Sequence, residues 1–253
     1  MKDKAVLVFL SGWAAGPEVW LEQEQYFTSC DTLTISYHLG IDAPFAEQQS
    51  FSLYARAAIE AINRECDSRV ILAGWSLGAL VALELALLAP ERIQALIIAG
   101  GTGRFTSAEG YDGGLRAVLA ERMQKKLARN PEQTLHEFYS QMFTAREHEE
   151  GLMEQFLKIR KMVGLNWSQN ELAGGLDYLL TQDLRESLGE VKAPAIILHG
   201  TDDWICSEAA GRYLHARLGC SQLHLLPGCG HMPFLSSAKV FNELVGRWLD
   251  DLF

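Results

Sequence analysis

Ser76 stands at the centre of Gly74-Trp75-Ser76-Leu77-Gly78, a G-x-S-x-G pentapeptide. A serine hydroxyl is a weak nucleophile until a base takes its proton, and that base is most often a histidine oriented by a carboxylate. The chain supplies both further on. His199-Gly200-Thr201-Asp202-Asp203 offers the acid, and Gly228-Cys229-Gly230-His231-Met232-Pro233 offers the base. The order serine, acid, histidine suits a nucleophile carried on a sharp turn between a strand and a helix. Ser76 is therefore the candidate nucleophile, Asp203 the acid and His231 the base. Glycines at 228 and 230 let the histidine loop approach the serine closely. Adjacent residues point in different directions, so only one of Asp202 and Asp203 can reach the imidazole. Asp202 is expected to face solvent or cap the turn. His199 competes with His231, but at a strand end it packs or braces a turn.

An acyl-transfer site also needs two fixed N–H donors for the oxyanion. The backbone amide of Leu77, just after the nucleophile, is one candidate. The amide of Trp13 is the other, in Ser11-Gly12-Trp13, where Gly12 permits a close backbone approach. The rings of Trp13 and Trp75 sit beside this chemistry, as walls of a substrate pocket or as core packing. No residues show metal-ligand spacing, and no loop has the dinucleotide or Walker pattern. Neither metal nor cofactor is expected.

These residues must be held at the carboxyl ends of strands in an open α/β sheet. Apolar runs predict strands over 5–10, 32–36, 69–73, 94–99, 194–199 and 221–226. Helical patterns fall between them over 18–28, 51–65, 77–89 and 207–217, and 237–252 closes the chain. Alternating strands and helices predict a mostly parallel central sheet flanked by helices, an α/β fold. The alternation breaks once. Residues 103–186 form a long strandless insertion, with helical stretches near 112–129, 131–142, 146–163 and 176–186, punctuated by Asn130-Pro131 and Gly174-Gly175. So long a segment is expected to pack as a helical lid on a core made of 1–102 and 187–253.

The chain has 253 residues, 48% of them hydrophobic, which suits one large α/β domain. Its formal net charge of −10 argues against general nucleic-acid binding. The cysteines at 30, 66, 206, 220 and 229 form no CxxC pair and read as reduced thiols. No apolar run approaches a membrane-spanning length. A cytoplasmic monomer is expected. Against the acidic background, Arg116, Arg122, Lys125, Lys126 and Arg129 gather on one helix of the insertion, and Lys158, Arg160 and Lys161 form a second basic cluster. Of these, Arg122, Lys125, Lys126, Arg129, Lys158, Arg160 and Lys161 are candidate contacts for an acidic partner.

The motifs resemble the α/β-hydrolase superfamily and, more narrowly, the pimeloyl-[acyl-carrier-protein] methyl ester carboxylesterase family of biotin synthesis. Ser11-Gly12-Trp13 with Pro17-Glu18-Val19-Trp20 is similar to that family's opening, and Gly74 to Ala82 to its elbow. Gly174-Gly175-Leu176-Asp177-Tyr178-Leu179 with Asp183-Leu184-Arg185 resembles its return from the lid. His231-Met232-Pro233-Phe234-Leu235-Ser236 resembles its histidine loop. The chain departs from the family at Ser11, where histidine is usual, at the shortened stretch 35–40, and through most of the insertion. The resemblance implies an α/β-hydrolase fold with Ser76, Asp203 and His231 as triad and Trp13 and Leu77 as oxyanion donors. It implies a methyl-capped dicarboxylic acyl chain on an acidic acyl-carrier protein as substrate, with methanol released and the thioester kept. The basic clusters would then meet the carrier. A broad short-chain carboxylesterase or a thioesterase could use the same triad. A non-catalytic binding protein on this fold would have no chemical need for the complete set.

Overall fold

The structure is a computed structural model that describes residues 6–36, 51–163 and 167–253. Its strands are β1 (Val6–Leu10), β2 (Asp31–Thr34), β3 (Val70–Trp75), β4 (Ile93–Ala99), β5 (Ala195–Gly200) and β6 (Ser221–Leu226). They pair in parallel in the order β2-β1-β3-β4-β5-β6. All six predicted strands are present, within a residue or two at each end. The order reverses between β1 and β3, so a crevice opens beyond their carboxyl ends. The loop after β1 carries Trp13 and the turn after β3 carries Ser76, which places them on the two sides of that crevice.

Parallel strands covered on both faces read as unbroken apolar runs. β3 and β5 are buried at every residue, whereas the edge strand β6 is mostly half-buried. After β1 a 3-10 turn at Pro17–Trp20 leads into α1 (Leu21–Tyr26), and α2 (Leu53–Glu65) follows β2. Next comes α3 (Leu77–Leu88), buried from Leu77 through Ala86 because it lies between the sheet and α2.

Among the described residues, the long segment between β4 and β5 holds the α-helices α4 (Ala117–Arg129), α5 (Pro131–Gln141), α6 (Ala145–Glu149), α7 (Leu152–Val163) and α8 (Gln169–Thr181). Asn130 and Pro131 divide α4 from α5 as expected, with the Asn130 side chain capping α5. Three expected boundaries need correction. Residues 112–116 are not helical: the chain folds back on itself, with bridges from Thr106 to Leu115 and from Ala108 to Tyr111, and Gly114 lies directly on the Thr106 backbone. The stretch 146–163 is two helices, broken at Gly151 where φ is +76°. The last helix spans Gln169–Thr181, not 176–186: it starts on a Ser168/Glu171 capping box, Gly174-Gly175 lies inside it, and the chain beyond it forms the Asp183 bridge to Arg104. Gly175 is there for packing: a Cβ would lie 2.6 Å from the Trp13 ring.

The chain closes with α9 (Glu208–Arg217), a single turn α10 (Pro233–Ser236) and α11 (Ala238–Leu252). One polar group closes the ends of the insertion on each other and a second ties it to α3. At its base, Asp183 accepts from Arg104 and Arg185, and the Leu184 amide donates to the Gly103 carbonyl at 2.9 Å. Deeper, the fully buried Glu84 of α3 accepts from the Ser52 hydroxyl at 2.6 Å and from the Tyr178 hydroxyl of α8 at 2.9 Å.

Candidate active site

β3 delivers Ser76 to the start of α3 with φ +56° and ψ −116°, a conformation that side-chain-bearing residues seldom adopt. The surroundings hold it there. The Ser76 amide donates to the Ala99 carbonyl at 3.1 Å, and its own carbonyl accepts from Ala79 at 3.0 Å and Leu80 at 3.2 Å. Glycine is needed on both flanks. A Cβ at Gly74 would lie 2.4 Å from the Gly78 carbonyl oxygen, and one at Gly78 would lie 2.2 Å from that of Leu10.

The loop after β6 carries His231 and the turn after β5 carries Asp203. His231 Nε2 lies 2.9 Å from Ser76 Oγ, and His231 Nδ1 lies 2.7 Å from Asp203 Oδ2. All three side chains are buried or nearly so. The other carboxylate oxygen, Oδ1, accepts from the amides of Ile205 at 2.8 Å and Cys206 at 2.9 Å. Asp202 is exposed and points away from the histidine toward Thr201. Of the two aspartates, Asp203 is the one whose carboxylate meets the imidazole.

Three contacts that sequence reasoning missed position His231. The Trp75 ring N–H donates to the His231 carbonyl at 2.9 Å. The His231 amide donates to the Met142 carbonyl, at the end of α5, at 2.8 Å. The preceding Gly230 amide donates to Glu147 Oε1 of α6 at 2.9 Å. Glu147 is buried, and its second oxygen accepts from the Thr144 amide at 2.8 Å. The Thr144-x-x-Glu147 spacing marks a helix cap in the sequence, but nothing local shows that the same carboxylate also holds a loop more than eighty positions away.

On the opposite side, the loop after β1 presses against the nucleophile: a Cβ on Gly12 would lie 2.9 Å from the Trp75 ring and 3.2 Å from Ser76 Cβ. Ala14 has φ +55°, and its carbonyl accepts from the Tyr139 hydroxyl at 2.8 Å. Among the described residues, neither the Trp13 amide nor the Leu77 amide has an acceptor. The Trp13 ring is buried edge-on against Phe138, its centroid 4.9 Å away, and its N–H donates to the Leu172 carbonyl at 2.9 Å. The Trp75 ring is fully buried against Phe234. Both indoles therefore brace loops that carry the site.

The two buried thiols nearby are held protonated. Burial, followed by the nearby Asp203 charge, pushes the Cys206 thiol well up. Burial raises that of Cys229 as well, against a hydrogen bond with Ser237 that opposes it. Among the described residues no three His, Cys, Asp or Glu side chains cluster as a metal site would need.

The basic residues lie on the helices between β4 and β5. Arg122, Lys125, Lys126 and Arg129 are exposed on α4, which packs on α5 and α8. Lys158 and Lys161 are exposed on α7, which packs on the Pro17–Trp20 turn. Arg160 lies over the Tyr139 ring at 4.7 Å, and Lys126 pairs with Glu137 at 2.6 Å. A cavity of about 300 Å³ lies between α4 and α5. Leu115, Leu119, Met123 and Phe138 form its apolar wall, with Arg122 and Lys126 among its lining residues. The shortened stretch noted in the sequence lies outside the described residues from 37 to 40.

A strained serine at a strand-to-helix turn after β3, with an aspartate after β5 and a histidine after β6, defines a class. The chain belongs to the alpha/beta hydrolase family, whose model matches residues 7–244. Within it, the chain is 30% identical over 235 residues to the pimeloyl-[acyl-carrier protein] methyl ester esterase of Nitrosomonas europaea, covering 93% of this chain and 92% of that protein. It is 29% identical over 245 residues to the protein of the same name from Yersinia enterocolitica, covering 94% and 91%. Among solved structures, an esterase from Exiguobacterium antarcticum superposes with a TM-score of 0.82 at 23% identity, over 99% of this chain and 93% of that one. A hydrolase from Pseudomonas aeruginosa gives 0.81 at 20% identity, over 98% and 91%. These two likenesses bear on the fold.

Proposed function

We propose that this chain is a serine carboxylesterase that removes the methyl ester of a pimeloyl group carried on an acyl-carrier protein, a step in biotin precursor synthesis. The observation that carries this reading is the buried relay from Ser76 through His231 to Asp203, with spacings of 2.9 and 2.7 Å. Relatives matched over nine-tenths of the chain supply the substrate class.

In this mechanism Ser76 Oγ attacks the ester carbonyl as its proton passes to His231 Nε2. Asp203 Oδ2 accepts from His231 Nδ1–H and balances the imidazolium. The amides of Leu77 and Trp13 hold the oxyanion, a contribution of about 3 kcal/mol per donor. His231 returns the proton to the methoxy oxygen, methanol leaves, and water repeats the sequence on the acyl-enzyme. The thioester to the carrier is untouched.

The segment 103–186 serves in this reading as a helical lid on a core of 1–102 and 187–253. The basic residues Arg122, Lys125, Lys126, Arg129, Lys158, Arg160 and Lys161 would meet the acidic carrier surface. The chain would act as a monomer in the cytoplasm, without nucleic acid or membrane. Among the described residues no helix is long and apolar enough to cross a membrane.

The test is mass spectrometry of methyl-pimeloyl carrier protein before and after incubation, with Ser76→Ala beside the native chain. The expected result is loss of the methyl group with the thioester intact, and a fall of about a thousandfold or more in the variant. Release of the whole acyl chain would make the protein a thioesterase. Turnover of small esters alone would overturn the carrier assignment, and full activity in Ser76→Ala would overturn the triad.

A further inference from the structure

Asp203 is faced by a second histidine. His199, the next-to-last residue of β5, is fully buried. Its Nε2 lies 2.6 Å from the Cys206 carbonyl oxygen and 3.5 Å from Asp203 Oδ2, the oxygen that accepts from His231. Cys206 is thus held at both ends of its peptide units: its amide donates to Asp203 Oδ1 and its carbonyl accepts from the His199 ring. The ring closes the 203–206 turn from the side away from the nucleophile.

The packing also fixes the state of that ring. α9 runs against it, and Gly211 makes the room, since a Cβ there would lie 2.9 Å from His199 Nδ1. Nδ1 is buried and has no hydrogen-bond partner among the described residues. A proton on Nδ1 would leave a donor buried without an acceptor, which is unfavourable. The ring therefore carries its proton on Nε2, where the Cys206 carbonyl accepts it at 2.6 Å.

We propose that His199 is a positioning residue for the catalytic acid: a neutral Nε2–H donor that locks the Asp203–Cys206 turn so that Oδ2 stays aimed at His231. The proposal rests on the triad reading above. A carboxylate whose turn can swing still binds substrate but orients the imidazole poorly, and displacements near 1 Å can cost about a hundredfold in rate. Loss of His199 therefore lowers kcat and leaves KM alone.

The experiment compares His199→Phe and His199→Gln with the native chain, using kcat, KM and the low-field proton resonance of the His231–Asp203 hydrogen bond. Phe fills the space without a donor, and Gln can place an N–H near the Nε2 position. The expected result for Phe is a fall in kcat of about tenfold to a hundredfold, KM within about twofold, and a weakened or lost low-field resonance. Gln should restore most of both. An unchanged kcat and resonance in a folded Phe variant would overturn the proposal. So would a folded Gln variant whose kcat and resonance fall as far as those of Phe. If the Phe variant does not fold, His199→Leu takes its place, with unchanged kcat and resonance again overturning the proposal. The Ser76→Ala control separates this from failure of the triad itself, because that failure would show as activity retained without the serine.

Discussion

Gly12 and Gly78 both lie against the nucleophile, and they should fail in different ways. A Cβ at Gly78 meets only backbone, the carbonyl of Leu10 at 2.2 Å, so β1 and α3 would have to part. Gly78→Ala is expected to lower the unfolding midpoint sharply or prevent folding. A Cβ at Gly12 meets the edge of the Trp75 ring at 2.9 Å and Ser76 Cβ at 3.2 Å. The loop after β1 can retreat from those, carrying the Trp13 amide with it. Gly12→Ala should keep the fold but lose about a hundredfold in kcat, the scale of one oxyanion donor. Denaturation curves and ester kinetics on the two variants check the contrast, and equal damage to stability in both would refute it. At this scale the sequence was informative wherever residue type and order carry the chemistry. Ser76, Asp203 and His231, which the fold brings into one hydrogen-bonded chain, could be singled out because a serine in G-x-S-x-G, an aspartate and a histidine each follow a strand-like run. The left-handed φ of Ala14 was not legible, since nothing in an alanine announces it; the Tyr139 hydroxyl holding its carbonyl comes from 125 positions away.

Among the elements, the strands were readable because β3 and β5 are apolar throughout, a pattern that full burial in a parallel sheet demands. The insertion helices were harder, since their boundaries are set by tertiary contacts. Gly174-Gly175 looks like punctuation in one dimension, yet α8 runs through it because Trp13 needs the space beside Gly175. Gly151 marks a real break that periodicity hides, as both α6 and α7 keep a helical pattern across it. The short α6 matters beyond its length. Glu147 joins it to the histidine loop through Gly230, and the neighbouring Met142 carbonyl takes the His231 amide. Glu147→Ala would leave the buried Gly230 amide without an acceptor. It is expected to destabilise the chain by about 1–3 kcal/mol and to reduce kcat more than KM. Chemical denaturation and steady-state kinetics test this. A variant with a shifted KM and native kcat would place Glu147 in substrate binding instead.

For the molecule as a whole, the insertion leaves the sheet after β4 and returns before β5 through one ionic clasp. Burial tends to raise the Asp183 carboxyl, but hydrogen bonds from Arg185 and Arg104 outweigh it and hold the group at about 2, below its ordinary 3.8. A carboxylate held low in the folded state stabilises it above its unfolded value and loses that contribution as pH falls through the folded one. The difference in urea midpoint between the native chain and Asp183→Asn should therefore be constant above about pH 5 and shrink from pH 3.8 toward 2. A difference that stays level down to pH 2.5 would show that the clasp acts through shape alone. The clasp closes the insertion's ends; its middle reaches the chemistry, because Met142 and Glu147 hold the loop on which His231 hangs. That arrangement sets a rule for remaking the protein. The helices between β4 and β5 are not an interchangeable cassette, although shuffling them between homologues is an obvious route to new substrate range. A transplant taken whole would bring its own peg for the base, cut for another loop. A chimaera that keeps residues 142–147 from the recipient and trades only the helices on either side would change what enters the site without disarming it.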